Sequence, residues 1–179
     1  MALPGAGEIL LVAGGSGSGK SSLLRRLRRR VPGERVVDLS RVRPGREATV
    51  DCFGGMALEA VLSLLSRVGL AEAGTYLLPA RKLSVGQRWR LKLAVAVARL
   101  EQMKGDGAAY LFCDEFASSL DGVSAAVACR LVRKMVRETG AAAVLASGRE
   151  EVEGWVGADW VARCDFGIVG VERGSRIEK

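Results

Sequence analysis

The residues of this sequence best suited to chemistry stand in a glycine-rich loop close to its start. The loop joins an apolar run to a helical pattern and reads Gly14-Gly15-Ser16-Gly17-Ser18-Gly19-Lys20-Ser21, with Ser22 next. Glycines let successive backbone N–H groups turn toward an anion, and the start of a helix adds its positive dipole end. The spacing predicts a phosphate-binding loop in which Lys20 reaches the β and γ phosphates of a nucleotide and Ser21 ligates Mg²⁺.

Two further groups follow this loop along the chain. The peptide Leu83-Ser84-Val85-Gly86-Gln87 precedes a long helical pattern, and the acidic pair Asp114-Glu115 directly follows the apolar run 109–113. Each has a plain structural interpretation when taken alone: Ser84 as a helix N-cap, and the pair as a solvated loop after a core strand. All three in this order resemble the ATP-binding cassette (ABC) ATPases, whose signature peptide LSGGQ differs here only at Val85.

The resemblance assigns a role to each acidic residue. Asp114 is implied to hold Mg²⁺ through its water shell, and Glu115 to polarise the attacking water. Neighbouring side chains on a strand point to opposite faces, so these separate roles require the strand to end before the pair. The implied cofactors are therefore ATP and Mg²⁺, with Lys20, Asp114 and Glu115 as the catalytic residues.

The resemblance also implies a second copy of the chain. In the family, the signature closes over the γ-phosphate bound by the other subunit, with Ser84 as a hydrogen-bond donor and Gly86 allowing the backbone to approach. The peptide Ser119-Leu120-Asp121 stands at the position of the D-loop, which crosses the dimer interface; it is also a common helix N-cap. A homodimer that sandwiches two nucleotides is the expected active form.

Three elements of the family are missing. No aromatic residue precedes the phosphate loop to stack on the base, no glutamine stands in the Q-loop, and the chain has no histidine for the switch position, where Ser147-Gly148 stand instead. We expect Asp51 to occupy the Q-loop position and to meet the Mg²⁺ shell. Hydrolysis should be slow unless Ser147, Arg149 or a partner replaces the histidine, and the choice between ATP and GTP stays open.

A narrower resemblance concerns the compact ABC-type branch associated with GNAT-type acetyltransferase domains. It rests on the segments 114–121, 50–55 and 68–70, and implies an acetyltransferase-type or other protein partner. Because the missing glutamine normally links the cassette to membrane domains, we expect a non-transport ATPase. The alternatives are a nucleotide-sensing module with negligible catalysis, a nucleic-acid-associated ATPase and a transporter ATP-binding subunit.

Composition limits the remaining function classes. The 179 residues, 49% hydrophobic and 26% charged, fit one compact domain, and no apolar run is long enough to span a bilayer, so a cytoplasmic protein is expected. The net charge of +7 is concentrated in the arginines of segment 25–30. These form either a patch for nucleic acid or a solvated helix face. The four cysteines are scattered and are expected to be reduced core residues.

Alternating strand and helix patterns predict the fold: an α/β P-loop NTPase with a mainly parallel sheet flanked by helices and a small helical signature subdomain, similar to ABC ATPases. The expected core is 1–52 and 101–173, with a helical insert at about 53–100 and a loose tail at 174–179. Strands are predicted at 8–13, 36–39, 49–52, 109–113, 141–146, 160–163 and 167–171. Helices are predicted at 20–30, 56–68, 88–100 and 124–138.

Overall fold

The computed structural model describes residues 1–103 and 107–174. Within them lies a six-stranded sheet in the order β2-β3-β4-β1-β5-β6. Neighbouring strands run parallel, except that β5 and β6 form an antiparallel hairpin. The strands are β1 Ile9–Ala13, β2 Val36–Asp38, β3 Tyr110–Cys113, β4 Ala142–Ser147, β5 Trp160–Asp165 and β6 Ile168–Arg173. The predicted α/β class with a mainly parallel sheet is confirmed.

Helices cover both faces of this sheet. They are α1 Lys20–Arg28, α2 Leu58–Arg67, α3 Ala73–Tyr76, α4 Val85–Gln102, α5 Gly122–Thr139 and α6 Glu151–Val156. On one face, Leu24 and Leu27 of α1 pack with Leu10 and Val12 of β1. The opposite face contributes Ile9 and Leu11 to a larger core that includes residues of α2, α4 and α5. Alternation along β1 thus divides its side chains between two cores.

The helices between β2 and β3 correspond to the predicted insert. α4 is longer than predicted because it begins at Val85, directly after the capping residue Ser84, and it continues to Gln102. Val61 and Leu64 of α2 and Leu91 of α4 belong to the same apolar cluster as the strands. The insert is therefore packed into the main core, and its treatment as a separate subdomain stays a proposal.

The structure differs from the prediction at one predicted strand and at two short helices. Segment 49–52, predicted as a strand, is a 3-10 helix over Thr49–Phe53. The backbone N–H and the hydroxyl of Thr49 both donate to the Leu78 carbonyl, at 2.9 and 2.7 Å, which ties this segment to the insert instead of to the sheet. The short helices α3 and α6 were not predicted, because each spans less than two turns. Of the predicted tail, Gly174 donates to Asp159 O at 3.0 Å, and residues 175–179 lie outside the described part of the chain.

The cysteines lie as expected for core residues. Cys113, Cys129 and Cys164 are buried, Cys52 is half-buried, and none of the four forms a disulfide. Burial raises the pKa of the Cys113 thiol to about 12, so it stays protonated at neutral pH. Across residues 1–103 and 107–174, no helix combines the length and the hydropathy needed to cross a membrane.

Candidate functional site

The glycine-rich loop connects the end of β1 to the start of α1. Gly14, Gly17 and Gly19 have φ angles of 148°, 76° and 100°, which side chains rarely tolerate. A Cβ on Gly14 would stand 2.4 Å from the Cys164 carbonyl oxygen, so the loop lies directly against the end of β5. The absence of side chains thus permits both the curvature of the loop and its contact with β5.

Two groups in this loop are suited to binding an anion. The Lys20 ammonium donates to the carbonyl oxygens of Gly14 and Gly15, at 2.7 and 2.6 Å, which holds the charge over the loop. The Ser18 hydroxyl is buried and has no hydrogen-bond partner in the described residues. A cation and a buried unused hydroxyl beside a helix N-terminus fit a bound phosphate.

The acidic pair stands at the same edge of the sheet as the loop. β3 and β1 both pair in parallel with β4, so their carboxyl ends lie on one side. β3 ends at Cys113, as the separate roles of the two acids require, and Glu115 adopts a left-handed φ of 52°. Glu115 is exposed and Asp114 is half-buried, and the Glu115 N–H donates to Asp114 Oδ1 at 3.1 Å.

Ser40 contacts Asp114 although no sequence pattern indicated it. Its hydroxyl accepts from the Asp114 N–H at 3.0 Å and donates to the Asp114 carbonyl at 3.3 Å. Its own N–H donates to Asp38 Oδ1 at 3.1 Å, which holds Ser40 at the end of β2. Asp51, predicted to meet the Mg²⁺ shell, lies exposed in the 3-10 helix beyond β2 and stays an untested candidate. The end of β2 adjoins the acidic pair because β2 lies beside β3 in the sheet.

If Asp114 serves nucleotide hydrolysis as the resemblance implies, the Ser40→Ala variant should lower hydrolysis by about tenfold, since a carboxylate that loses its backbone support is easily misplaced. The free energy of unfolding should fall by about 1 kcal/mol, the typical net value of a hydrogen bond. Phosphate release and urea unfolding measure the two effects. Ser40→Thr keeps the hydroxyl and should retain most of the activity; equal activity in Ser40→Ala and wild type would contradict this role.

The residues at the switch position have partners within the chain. Ser147 is 2% exposed, and its hydroxyl donates to Phe116 O at 3.1 Å and accepts the Arg149 N–H at 3.2 Å. The Arg149 guanidinium donates to Leu120 O at 2.7 Å. Both side chains therefore hold the loop that follows the acidic pair. Gly148 and Arg149 also line a cavity of about 390 Å³ beside Gly14, which leaves space next to the phosphate loop.

The signature peptide begins α4. The Ser84 hydroxyl accepts the Gln87 N–H at 3.2 Å, and the Ser84 N–H donates to Gln87 Oε1 at 3.0 Å, which forms a complete capping box. The hydroxyl hydrogen of Ser84 is not used by this cap and can still be donated to a ligand. Leu83 is buried, whereas Val85 is 58% exposed. The capping interpretation is thus confirmed, and it is compatible with a γ-phosphate contact.

Gly86 of the signature and Asp121 of the predicted D-loop both lie beside Ser124. A Cβ on Gly86 would stand 3.8 Å from Ser124 Oγ, an ordinary contact, so packing within the chain does not require glycine there. Asp121 Oδ1 accepts the Ser124 N–H at 2.9 Å, which caps α5 and lowers the pKa of this exposed carboxyl. The structure brings the signature and the predicted D-loop into one surface region.

The arginines of segment 25–30 lie along α1 and just beyond it. Arg25, Arg26, Arg29 and Arg30 are exposed, and Arg28 is half-buried. Arg25, Arg28 and Arg29 line a cavity of about 270 Å³ together with Arg41. A solvated helix face and a polyanion patch both agree with this arrangement, and nucleic-acid binding stays an untested alternative.

Comparisons with known proteins identify the fold. No protein-family model and no curated protein matches the sequence. Among solved structures, CbiO1 from Clostridium perfringens, described as part of the ABC transporter complex cbiONQ, has a TM-score of 0.72 at 19% identity, over 97% of this chain and 79% of that one. The ATP-binding cassette MJ0796, as a dimer in a post-hydrolysis state bound to ADP and Pi, has a TM-score of 0.71 at 18% identity, over 97% and 88% of the two chains.

A third similar structure comes from a transporter. A putative metal-chelate type ABC transporter in an inward-facing conformation matches with a TM-score of 0.67 at 18% identity, over 94% of this chain and 73% of that chain. These comparisons give no support to the narrower resemblance to the acetyltransferase-associated branch. They do cover nearly the whole described sheet and its helices, and the chain therefore has the fold of the ATP-binding cassettes of ABC transporters.

Proposed function

We propose that the protein is an ABC-type ATPase that binds ATP with Mg²⁺ and closes into a nucleotide-sandwich dimer. One observation carries the proposal: the Lys20 ammonium lies over the phosphate loop, at the same edge of the sheet as Asp114 and Glu115. A phosphate loop and an acidic pair at one edge are what phosphoryl transfer to water requires. The cytoplasmic location expected from the sequence stays part of this proposal.

The loop residues bind and orient the phosphates. In this proposal, backbone N–H groups of the loop and the α1 dipole attract the phosphates, and Lys20 supplies a full positive charge. The Ser21 hydroxyl and the Asp114 carboxylate are the groups that would hold Mg²⁺, which neutralises charge on the phosphate oxygens. Among the described residues, no cluster of three acidic or cysteine side chains forms a metal site. Mg²⁺ bound mainly by phosphate and water needs no such cluster.

Glu115 is the residue that orients the attacking water in this proposal. It follows the strand end with a left-handed backbone and is exposed, so its carboxylate is accessible at this edge of the sheet. The chain has no histidine, and Ser147 and Arg149 bond to loop carbonyls. We therefore expect slow turnover, because fewer groups organise the water and the γ-phosphate.

A second copy of the chain completes the site. Ser84 is exposed at the start of α4 and keeps a hydroxyl hydrogen to donate, and Gly86 leaves room for a close approach. The structurally similar cassette MJ0796 is described as a dimer. ATP shifts the equilibrium toward the dimer by contacting the phosphate loop of one subunit and the signature of the other.

Two kinds of partner are candidates for the process that this ATPase cycle drives. A non-transport partner, such as an acetyltransferase-type protein, follows from the missing Q-loop glutamine. A transporter ATP-binding subunit is favoured by the described neighbours, which belong to ABC transporters. Co-purification with a membrane protein, or with a protein that has no membrane segment, distinguishes the two candidates. A nucleotide sensor with negligible catalysis would bind ATP but release no phosphate.

The Glu115→Gln variant tests the proposed function. It should bind Mg²⁺-ATP and accumulate as a dimer, because the amide cannot accept a proton from water and hydrolysis no longer opens the closed state. Light scattering gives the mass with ATP, with ADP and without nucleotide, and phosphate release gives the turnover. Wild type should release phosphate, and Glu115→Gln should release at least about 100-fold less. A monomer under all conditions would contradict the dimer, and equal turnover would contradict the role of Glu115.

A further inference from the structure

The hairpin between β5 and β6 has an unusual turn. The pairing of the strands ends at Asp165 and Ile168, and the turn residues Phe166 and Gly167 have φ angles of 40° and 94°. Such turns favour Asn, Asp or Gly at the first position, because a left-handed backbone is unfavourable for a bulky side chain. Phe166 is nevertheless an aromatic residue, and it is 83% exposed. Neither turn chemistry nor core packing accounts for phenylalanine here.

This turn adjoins the phosphate loop. β5 pairs in parallel with β1, and Arg163 is the partner of Ala13, so the next residues of both strands continue side by side. A Cβ on Gly14 would stand 2.4 Å from the Cys164 carbonyl oxygen, which places the end of β5 in contact with the first residue of the loop. Phe166 follows Cys164 after one intervening residue.

The sheet order decides which end of a nucleotide faces this turn. β4 and then β3, which leads to Asp114 and Glu115, lie on one side of β1, and β5 lies on the other side. The γ-phosphate must face the acidic pair for hydrolysis. The opposite end of the nucleotide, its ribose and base, therefore leaves the loop on the side of the β5–β6 turn.

Space for a sugar and base is present on that side. α1 and β6 border a cavity of about 550 Å³, lined among others by Leu23, Arg26 and Val169. Leu23 lies in the first turn of α1, next to the phosphate-loop residues Ser21 and Ser22. The surface between α1 and strand β6 of the hairpin is thus open and partly apolar.

We infer that Phe166 is the platform on which the base of the bound nucleotide stacks. The inference rests on the proposed nucleotide binding, and residues 1–13 hold no aromatic side chain that could take this role. Stacking uses the ring face, which every base has, and so it discriminates little between bases. Mg²⁺-ATP and Mg²⁺-GTP should therefore bind with similar affinity.

The Phe166→Asn variant tests this inference. Affinities for Mg²⁺-ATP and for Mg²⁺-tripolyphosphate, which has no base, are measured by calorimetry on wild type and variant. The variant should bind ATP about 5- to 100-fold more weakly, the range expected for one lost base stack, and should bind tripolyphosphate as wild type does. Asparagine suits a left-handed turn position, so the melting temperature should not fall.

Two further variants serve as controls. Phe166→Tyr keeps the ring and should keep the ATP affinity. Ile168→Asn replaces another exposed apolar residue of the same hairpin, 75% exposed, and should leave ATP binding unchanged. If Phe166→Asn weakens the binding of neither ligand, or of both ligands equally, the base does not stack on this turn. The proposed nucleotide binding would be unaffected by that result. If wild type binds neither ATP nor tripolyphosphate, the proposed function itself fails.

Discussion

Lys20→Ala should reduce ATP hydrolysis by about 100- to 1000-fold, the loss typical of removing one charge-stabilising donor from a reaction site. The Lys20 ammonium lies over the loop carbonyls of Gly14 and Gly15, where the proposed phosphates are bound. Without this ammonium group, only the backbone N–H groups and the helix dipole remain to stabilise the charge of the β and γ phosphates. Phosphate release and ATP affinity, both with Mg²⁺, measure the effect.

The fold should not depend on Lys20. Its two hydrogen bonds run to carbonyls of a loop that is largely solvent-accessible, so the unfolding free energy should change by less than about 1 kcal/mol. Lys134→Ala is the matched control, because Lys134 lies on the surface of α5 in a weak ion pair with Glu138 at 3.8 Å. ATP hydrolysis that survives in Lys20→Ala at the level of Lys134→Ala would exclude the phosphate loop as the active site.

Ser84→Arg should abolish the ATP-dependent dimer while leaving ATP binding to the monomer intact. The bulky side chain stands where the signature approaches the γ-phosphate of the other subunit, and the donated hydroxyl hydrogen is lost. The effect is best seen in the Glu115→Gln background, in which wild-type Ser84 should give a stable dimer. Light scattering with Mg²⁺-ATP measures the mass, and calorimetry measures the ATP affinity.

The cap at Ser84 requires its own control, because loss of an N-cap costs about 1 kcal/mol in stability. Ser84→Asp keeps the cap on the Gln87 N–H but brings a negative charge toward the γ-phosphate, so it too should stay monomeric. Ser84→Asn keeps the cap and an amide donor without charge, and should still form the dimer. A dimer in Ser84→Asp would show that the signature does not face a phosphate.

The glycine-rich loop between β1 and α1 could be predicted because its signal is local. The glycines, the lysine and the start of α1 are consecutive in sequence, and the backbone angles that they require are properties of the residues themselves. The long helices and the buried strands were predicted for a similar reason, since their apolar periodicity directly reflects burial. The observed ends of these elements differ from the predicted ends by a few residues, as where the cap at Ser84 sets the first turn of α4.

The Thr49–Phe53 segment shows where local patterns fail. Its apolar residues suit a strand, but a strand also needs a neighbour, and this segment instead bonds to Leu78 in the insert. The contact between the end of β2 and the acidic pair was not predicted for the same reason, since it depends on pairing between strands. The sheet places the end of β2 and Ser40 next to Asp114, a contact that no local pattern predicts, and Asp51 stays an untested candidate for the Mg²⁺ shell.

Local sequence patterns were enough to predict the glycine-rich loop, the acidic pair after β3, the helix cap at Ser84 and the α/β class, since each depends on residues close together in the chain. The distant residues that support these features emerge only from the packing of the whole chain. Ser40 reaches Asp114 across 74 positions, and Cys164 at the end of β5 comes to lie beside Gly14 because β5 pairs with β1. Strand order brings such residues together, and strand order is set by packing of the whole chain, which no short segment specifies.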